Sequence, residues 1–450
     1  MIGNDLTKGN VTKTLLRFTL PFLLANVLHT LYGIVDLYLV GQYADATQIS
    51  AVAIGTGVMM LFNCLLMGFS TGGTVGVGQM SGSRREKDLN ETISTIFSVI
   101  PLIALAMMAL GIALRAPFLR LLNCPAEAFS SADAYLSICM IGLIFTGLYN
   151  AIAAVLRGMG DSKGPTIFVS ASCLCNIVGD VICVGALKLG AAGAALATTV
   201  SQGISVLIGY IYLRRRNFPF DFRPRSFRIH KEKLRMLLRL SIPTAFQEGM
   251  TSVSFLALEA IINSMGYIAA AAAGVVDRVF NVSIVPAIAF SGAISAMVAQ
   301  NTGAGEYRRA RKCMGIGLCL CTVVAAVILA VMILFPAQVV GCFTKEAEVV
   351  ALGAEYLTYY RYDCLLCAMA FCVNGYINGT GHTRWTMVVN VVSSLCVRVP
   401  VMWALSRMAG ATLRQIGLGF PSASVVQLLL GLLFLFCSKY ERSHREPRLS

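Results

Sequence analysis

The sequence predicts an all-α polytopic membrane protein, with twelve transmembrane helices in two six-helix lobes related by pseudo-two-fold symmetry. Three observations carry that prediction. Of 450 residues, 57% are hydrophobic and only 13% charged, about half the charged share of a soluble protein, and mean hydropathy is +0.74. About twelve apolar stretches are each long enough to cross a hydrocarbon core of ~30 Å. Three short motifs also recur in order at a near-constant spacing. So little charge cannot cover a globule of 48.2 kDa with water-friendly groups. A soluble enzyme, a disordered scaffold and a fibrous protein are excluded on that ground.

The apolar stretches centre on residues 15–40, 48–79, 91–114, 132–156, 165–186, 191–213, 238–263, 270–299, 312–335, 350–377, 385–406 and 415–438. The first follows Lys13 and Arg17, runs past twenty residues and contains Asp36, so it reads as a span rather than a cleavable signal. Of the 36 Lys and Arg, 27 fall in the N-terminal tail, the even-numbered connectors and the C-terminal tail, against 6 in the odd-numbered connectors. That alternation predicts a multi-pass protein of the cytoplasmic membrane with both termini cytoplasmic. It also accounts for the net charge of +14, so no nucleic-acid partner is expected.

Residues 214–239 hold ten of these cations, beginning with Arg214-Arg215-Arg216 and broken by Pro219 and Pro224. The expected division is an N-lobe at 1–213, a basic cytoplasmic linker at 214–236, and a C-lobe at 237–450 with a short basic tail. The linker reads as a topology-fixing connector. Its cations, each attracted to anionic headgroups by about 1 kcal/mol, leave a lipid site as the alternative.

The chain is a duplication. Leu15-Leu16-Arg17-Phe18-Thr19-Leu20-Pro21 reappears 222 residues later as Leu237-Leu238-Arg239-Leu240-Ser241-Ile242-Pro243. Gln79-Met80-Ser81-Gly82 answers Gln300-Asn301-Thr302-Gly303 at 221, and Gly158-Met159-Gly160-Asp161-Ser162-Lys163 answers Gly379-Thr380-Gly381-His382-Thr383-Arg384 at 221. Six spans separate equivalent points, so both halves enter the membrane from one side. A pseudo-two-fold along the membrane normal follows, with a binding cavity expected between the lobes.

Enzyme signatures are absent. There is no H-E-x-x-H, no phosphate-binding G-x-x-x-x-G-K-[ST] and no clustered Asp motif, and the four histidines are scattered. Most of the fifteen cysteines fall inside spans. Cys364-x-x-Cys367, Cys173-x-Cys175 and Cys319-x-Cys321 lack nearby histidines and read as small apolar packing. No catalytic residues, organic cofactor or structural metal are expected. With no ATP-binding segment, energy must come from an ion gradient or a partner; one charge crossing 100 mV supplies about 2.3 kcal/mol.

Five segments make a family resemblance specific. They are Val35-Asp36 with Val40-Gly41; Gly68-Phe69-Ser70-Thr71-Gly72 before Gln79; and Leu156-Arg157-Gly158-Met159-Gly160-Asp161-Ser162. The last two are Asn176-Ile177-Val178-Gly179-Asp180 and Val298-Ala299-Gln300-Asn301-Thr302-Gly303-Ala304-Gly305. In this order the chain resembles the multidrug and toxic compound extrusion (MATE) family over nearly its whole length. The resemblance implies an exporter that exchanges an inward H+ or Na+ for an outward organic compound by alternating access.

An ionisable group in mid-bilayer is costly unless paired, hydrated or neutralised, so each is a functional candidate. Asp36 lies in the first span. Asn176 and Asp180 are four apart in the fifth, hence on one helical face, and Thr198 and Thr199 lie in the sixth. The resemblance carries a cation-coupling site onto Asp36, Asn176, Asp180 and Thr198. Two carboxylates, an amide carbonyl and a hydroxyl can coordinate Na+ or share a proton; the alternative is a polar patch that only holds helices together.

In the second half, Ser394 and Arg398 stand where the first has Asn176 and Asp180, if a three-residue gap is allowed. A guanidinium cannot bind a cation, so that alignment confines the site to the N-lobe, and Arg398 is expected to pair with an acid or reach headgroups. Glu248 and Glu259 of the seventh span fall within about 40° on one helical face and are candidates for drawing a cationic substrate into the cavity or for a second proton path; the alternative, above all for Glu259, is a hydrated carboxylate near a helix end. Asp277-Arg278 reads as a self-neutralised interfacial pair. Pro21 is either a kink site or a helix-entry proline repeated at Pro243, and Pro286 should interrupt the eighth span.

The expected function is cation-coupled export of organic, cationic or amphipathic compounds by one chain acting as a monomer among membrane lipids. The alternatives are a flippase for a lipid-linked saccharide, which would gather Arg and Lys on the cavity, and an intramembrane enzyme.

Overall fold

The computed structural model describes residues 5–215, 218, 220–408 and 410–445. Arg216 and Pro219 of the expected linker and residues 446–450 of the basic tail lie outside the described residues.

The first half folds as six long helices with short turns. Asn10 opens α1 (Val11–Tyr43) by accepting the Lys13 N–H (3.1 Å), and Asp45 opens α2 (Ala46–Gly82) by accepting that of Gln48 (2.9 Å). Both are N-caps that satisfy otherwise orphaned amides. Next come α3 (Glu86–Leu121), α4 (Ala126–Gly158), α5 (Lys163–Asp180) with a π turn over Val181–Ala186, and α6 (Gly190–Arg215). The entry of α5 is tied by Asp161, whose carboxylate accepts the N–H groups of Lys163 and Gly164 (3.0 Å each) and the Tyr212 hydroxyl (2.6 Å).

The second half runs through α7 (Lys231–Asn263), α8 (Tyr267–Ser283), α9 (Val285–Gly303), α10 (Tyr307–Leu334), α11 (Pro336–Gly341) and α12 (Ala347–Gly379). It ends with α13 (Thr383–Val391), a second π turn at Val392–Arg398, α14 (Val399–Ser406), α15 (Leu413–Ile416) and α16 (Gly419–Arg445). There is no strand among the described residues.

Ten helical segments are long and apolar enough to cross a bilayer. The other two predicted spans, α7 and α12, are 33 residues each, or about 50 Å, but carry more charge: Glu248 and Glu259 in one, Glu355, Arg361 and Asp363 in the other. The eighth span breaks at Ile284 into α8 and α9, with Pro286 in the first turn of α9, where its missing N–H costs nothing. Pro21 lies well inside α1 and Pro243 well inside α7. Neither is a helix-entry proline.

The duplicated motifs fold alike. Gly160 and Gly381 end their helices at φ +85° and +87°, the left-handed conformation glycine adopts freely. A Cβ on Gly158 would meet Val77 and the Thr74 carbonyl, and one on Gly379 would meet Val298 and the Ser295 carbonyl. Both sets are displaced by 221 residues.

Two compact units result: Met1–Ala245 with Ala299–Tyr307, and Phe246–Val298 with Arg308–Ser450. The division falls within α7 and α9 rather than at the linker. The start of α7 belongs with the first unit, where the Thr244 hydroxyl reaches the Gly68 carbonyl (3.1 Å), and Gln300 of α9 donates to the Gly158 carbonyl (2.8 Å). In the first unit α4 is central, packed by α2, α3 and α6 around Leu66, Ile96, Leu136 and Met140. In the second, α12 is central, against α8 and α16, around Tyr356, Tyr360, Met402 and Phe420.

The linker is docked along α3. The Ser94 hydroxyl meets the carbonyls of Ser226 (2.5 Å) and Arg228 (2.8 Å) and accepts the Arg228 N–H (2.9 Å), while Thr95 accepts that of His230 (3.2 Å). Phe220 and Phe222 stack about Phe97, with centroids at 5.5 and 5.6 Å. Lys233 is buried and reaches Asp88 at 2.5 Å. The Ser226 hydroxyl and the Arg223 N–H hold the exposed Asp221 carboxyl below the usual carboxylate range.

Candidate functional site

The face that α5 presents to α1 repeats every two turns. Thr166 donates to the Pro21 carbonyl (2.7 Å), the Cys173 thiol reaches the Leu28 carbonyl (3.6 Å), and Asp180 meets Asp36. Residues seven apart share a helical face, so the spacing 166, 173, 180 aims all three at one neighbour.

The Asp36 and Asp180 side chains face each other across the α1–α5 contact. Ionised carboxylates only accept, so a hydrogen bond between the two would need a shared proton. Asp180 and Asn176 are 0% and 1% exposed. With its amide oxygen turned to Thr198, Asn176 donates to Asp180 Oδ2 (2.9 Å) and accepts from the Thr198 hydroxyl (3.3 Å) and N–H (3.2 Å). All four residues singled out from the sequence therefore form one chain, Asp36–Asp180–Asn176–Thr198. Thr199 points elsewhere, to the Ile138 carbonyl (3.2 Å).

One oxygen of each carboxyl, Asp36 Oδ1 and Asp180 Oδ1, is buried with no hydrogen-bond partner. Carboxyl oxygens left without a donor are the kind of acceptor that a proton or a hard cation such as Na+ takes. From α4, Cys139, bonded to Tyr135, lies in the field of Asp36. Neither α4 residue is singled out in the sequence, because a tyrosine and a cysteine in an apolar span read as packing.

The other candidates are dispersed. Glu248 is half-buried and Glu259 exposed; at eleven residues apart on α7 they stand about 16 Å from each other along the axis. They do not form one site. Asp277 does not pair with its neighbour: it accepts the Tyr360 hydroxyl (3.4 Å) while Arg278 is exposed. Helical rotation is the reason, since adjacent residues diverge by about 100°. Ser394 is buried and bonds its own helix at the Asn390 carbonyl (2.7 Å), while its carbonyl takes the Ser254 hydroxyl (3.1 Å).

Arg398 stands over Phe255 and Phe420, 5.1 and 5.3 Å from the ring centroids. Asp363 of α12, 1% exposed, is a buried acid that sequence reasoning missed. An acid in mid-span was the signal, obscured by the cysteines that follow it.

Ten helical segments long and apolar enough to cross a bilayer, with two further helices of 33 residues, define a multi-pass membrane protein. More particularly, the chain belongs to the MatE family, whose model matches residues 21–182 and 243–404. The two matches begin 222 residues apart, the offset of Pro21 and Pro243. The family is one of transporters, which points to a non-enzyme.

Among relatives, the chain is 28% identical to the probable multidrug resistance protein YoeA of Bacillus subtilis (strain 168), over 96% of this chain and 94% of that one. It is 25% identical to the probable multidrug resistance protein NorM of Thermotoga maritima, again over 96% and 94%. Among solved structures, an outward-facing multidrug resistance MATE family transporter of the MOP superfamily superposes with a TM-score of 0.92 at 20% identity, covering 98% of this chain and 99% of that one. A MOP superfamily transporter from Pyrococcus furiosus, described as having a binding pocket of reverse polarity, gives 0.91 at 19%, covering 99% of each. At such identities these structures speak for the fold alone.

Proposed function

We propose that this protein is a cation-coupled antiporter that exports organic, cationic or amphipathic compounds across the cytoplasmic membrane by alternating access. Both termini and the linker are cytoplasmic, and one chain suffices. The names of the relatives support multidrug export. The observation that carries the coupling is the Asp36–Asp180 carboxyl pair with its chain to Asn176 and Thr198.

Two carboxyls in contact inside a low-dielectric bundle are unlike two exposed acids. With a proton or Na+ between them they attract; with the ion released inward they repel, and the α1–α5 contact loses its deepest link. That gives the first unit two states with different ion occupancy. Antiport follows when substrate favours the ion-free state and the ion the other, since a ligand shifts an equilibrium by its differential affinity. Pro21, inside α1, marks a point where that helix lacks one backbone hydrogen bond and can bend.

The test is export of a panel of cationic and neutral dyes from vesicles under separately imposed pH and sodium gradients. Export that one of these gradients drives, and that Asp36→Asn removes, is the expected result. Equal export with neither gradient would refute it.

A further inference from the structure

Helix α9 is shared by the two units. Its residues up to Val298 belong to the second and those from Ala299 onward to the first. The handover is abrupt: a Cβ on Gly379 would meet Val298, and one on Gly303 would meet the Gln79 carbonyl. Between Ala293 and Thr302 the helix contains neither glycine nor proline, the residues where sharp kinks usually fall. A helix without a bending point cannot follow one unit at one end and the other unit at the other. If the units move, the end of α9 has to leave its seat in the first.

The segment ahead of α1 holds that seat. Leu6 is 1% exposed. Its N–H donates to Gln300 Oε1 (3.0 Å), and its carbonyl accepts from Asn301 Nδ2 (3.3 Å). Consecutive side chains of α9, 2% and 0% exposed, thus clamp both backbone groups of one residue. Gln300 in turn donates from Nε2 to the Gly158 carbonyl (2.8 Å). On the other side of Leu6 the Asp5 carboxylate accepts the Thr7 N–H (3.0 Å) and meets Arg84 of the α2–α3 turn (3.4 Å). Gly9, at φ +76°, turns the chain from the clamp into α1. Asp5 and Arg84 are exposed, so their ion pair contributes little, and the hold lies with Leu6.

We propose that Asp5–Gly9 is a latch on α9. Seated, it keeps the end of α9 in the first unit; withdrawn, it frees α9 to move with the second. The topology proposed above puts this segment in the cytoplasm, so release of the latch belongs to the step that opens the protein to that side. This rests on the alternating-access reading and names the element that controls the inward step.

The experiment is hydrogen exchange of the purified full-length protein in lipid nanodiscs, beside gradient-driven dye export from vesicles. Leu6→Asp puts a charge into the buried seat. It should speed exchange of the amides of residues 299–307 at least tenfold by local opening, while those of residues 136–155 in α4 keep their wild-type rates. Export should fall at least threefold, because the inward-open state is over-populated. Leu6→Met, which keeps an apolar side chain in the seat, should leave both unchanged. In wild type a transported dye should shift exchange at residues 6–9 and 299–307 together, since a ligand that favours one state changes how often the latch is seated. A rise in exchange spread over the whole protein, wild-type export by Leu6→Asp, or exchange at the latch that ignores the dye would each overturn the proposal. Should Leu6→Asp fail to fold, Leu6→Ala decides: it should give a smaller rise confined to residues 299–307, and an unchanged rate there overturns the idea. If wild type exports dye with no gradient imposed, the coupling reading fails while the latch is still scored by exchange and by the loss of export in Leu6→Asp.

Discussion

Gly82 of α2 and Gln300 of α9 meet backbone to backbone: a Cβ on Gly82 would stand 1.9 Å from the Gln300 carbonyl oxygen. The relation is reciprocal, since a Cβ on Gly303 would stand 2.0 Å from the Gln79 carbonyl oxygen. The two copies of one repeated motif are thus each other's partners. The Gln300 side chain extends the contact, taking the Leu6 N–H at Oε1 (3.0 Å) and giving Nε2 to the Gly158 carbonyl (2.8 Å).

Alanine at either glycine should therefore destabilise the protein, because the obstructing atom is a carbonyl and cannot swing away. Gly82→Ala and Gly303→Ala are each expected to cost about 1–3 kcal/mol, the range for overpacked sites. Gly57→Ala and Gly249→Ala, where a Cβ meets nothing within 4 Å, serve as controls. Thermal midpoints in detergent check this; identical midpoints for all four would contradict the close crossing.

Gln300→Leu removes the hydrogen bonds to the Leu6 N–H and the Gly158 carbonyl, and should destabilise by about 0.5–1.5 kcal/mol for each. Gln300→Glu puts a carboxylate oxygen against the Gly158 carbonyl at a position 2% exposed, so at neutral pH it should destabilise more than leucine. An unfolding series in which glutamate is the milder change would reject this assignment of the two bonds.

Asp36→Asn can still donate to Asp180, so it should fold normally while losing gradient-driven export. Asp180→Asn should behave alike, and Ser394→Ala should matter little because that hydroxyl serves only its own helix. Vesicle efflux measured beside a gel-filtration profile separates function from folding. Normal driven export by the Asp36→Asn, Asp180→Asn double variant is the outcome that ends the proposal.

If Glu248 attracts cationic substrates, Glu248→Gln should weaken export of cationic dyes more than of neutral ones. Its half-buried position on α7 makes its charge less screened than that of the exposed Glu259. Equal loss for both dye classes leaves Glu248 a structural role only.

Ser94→Val removes the hydroxyl that serves both the Ser226 and Arg228 segments of the linker. Trypsin should then cut after Arg225 or Arg228 several-fold faster than in wild type, because local opening exposes the backbone. An unchanged cleavage rate would mean the aromatic packing around Phe97 suffices to hold the linker.

The sequence by itself determined the membrane class, the helical spans and the duplication. Hydropathy, cation placement and repeat spacing are sums or intervals over residues, and none depends on how helices rotate against one another. It also singled out Asp36, Asn176, Asp180 and Thr198, because a polar group in an apolar span stands out wherever it points, and the family resemblance gave them a shared role. Only the tertiary structure decided which of these groups touch. A helix turns about 100° per residue, so Asp277 leaves the adjacent Arg278 for Tyr360, eighty-three positions away, and Glu248 and Glu259 share a face without sharing a site. The linker read as a charged tether because its anchors, Ser94, Thr95 and Phe97, belong to a distant helix. Asp363 escaped notice beside its cysteines, and Arg398 read as the partner of an acid or a headgroup contact. The burial of Asp363 and the aromatic seat of Arg398 over Phe255 and Phe420 belong to the packing of α16 against α12 and against the π turn.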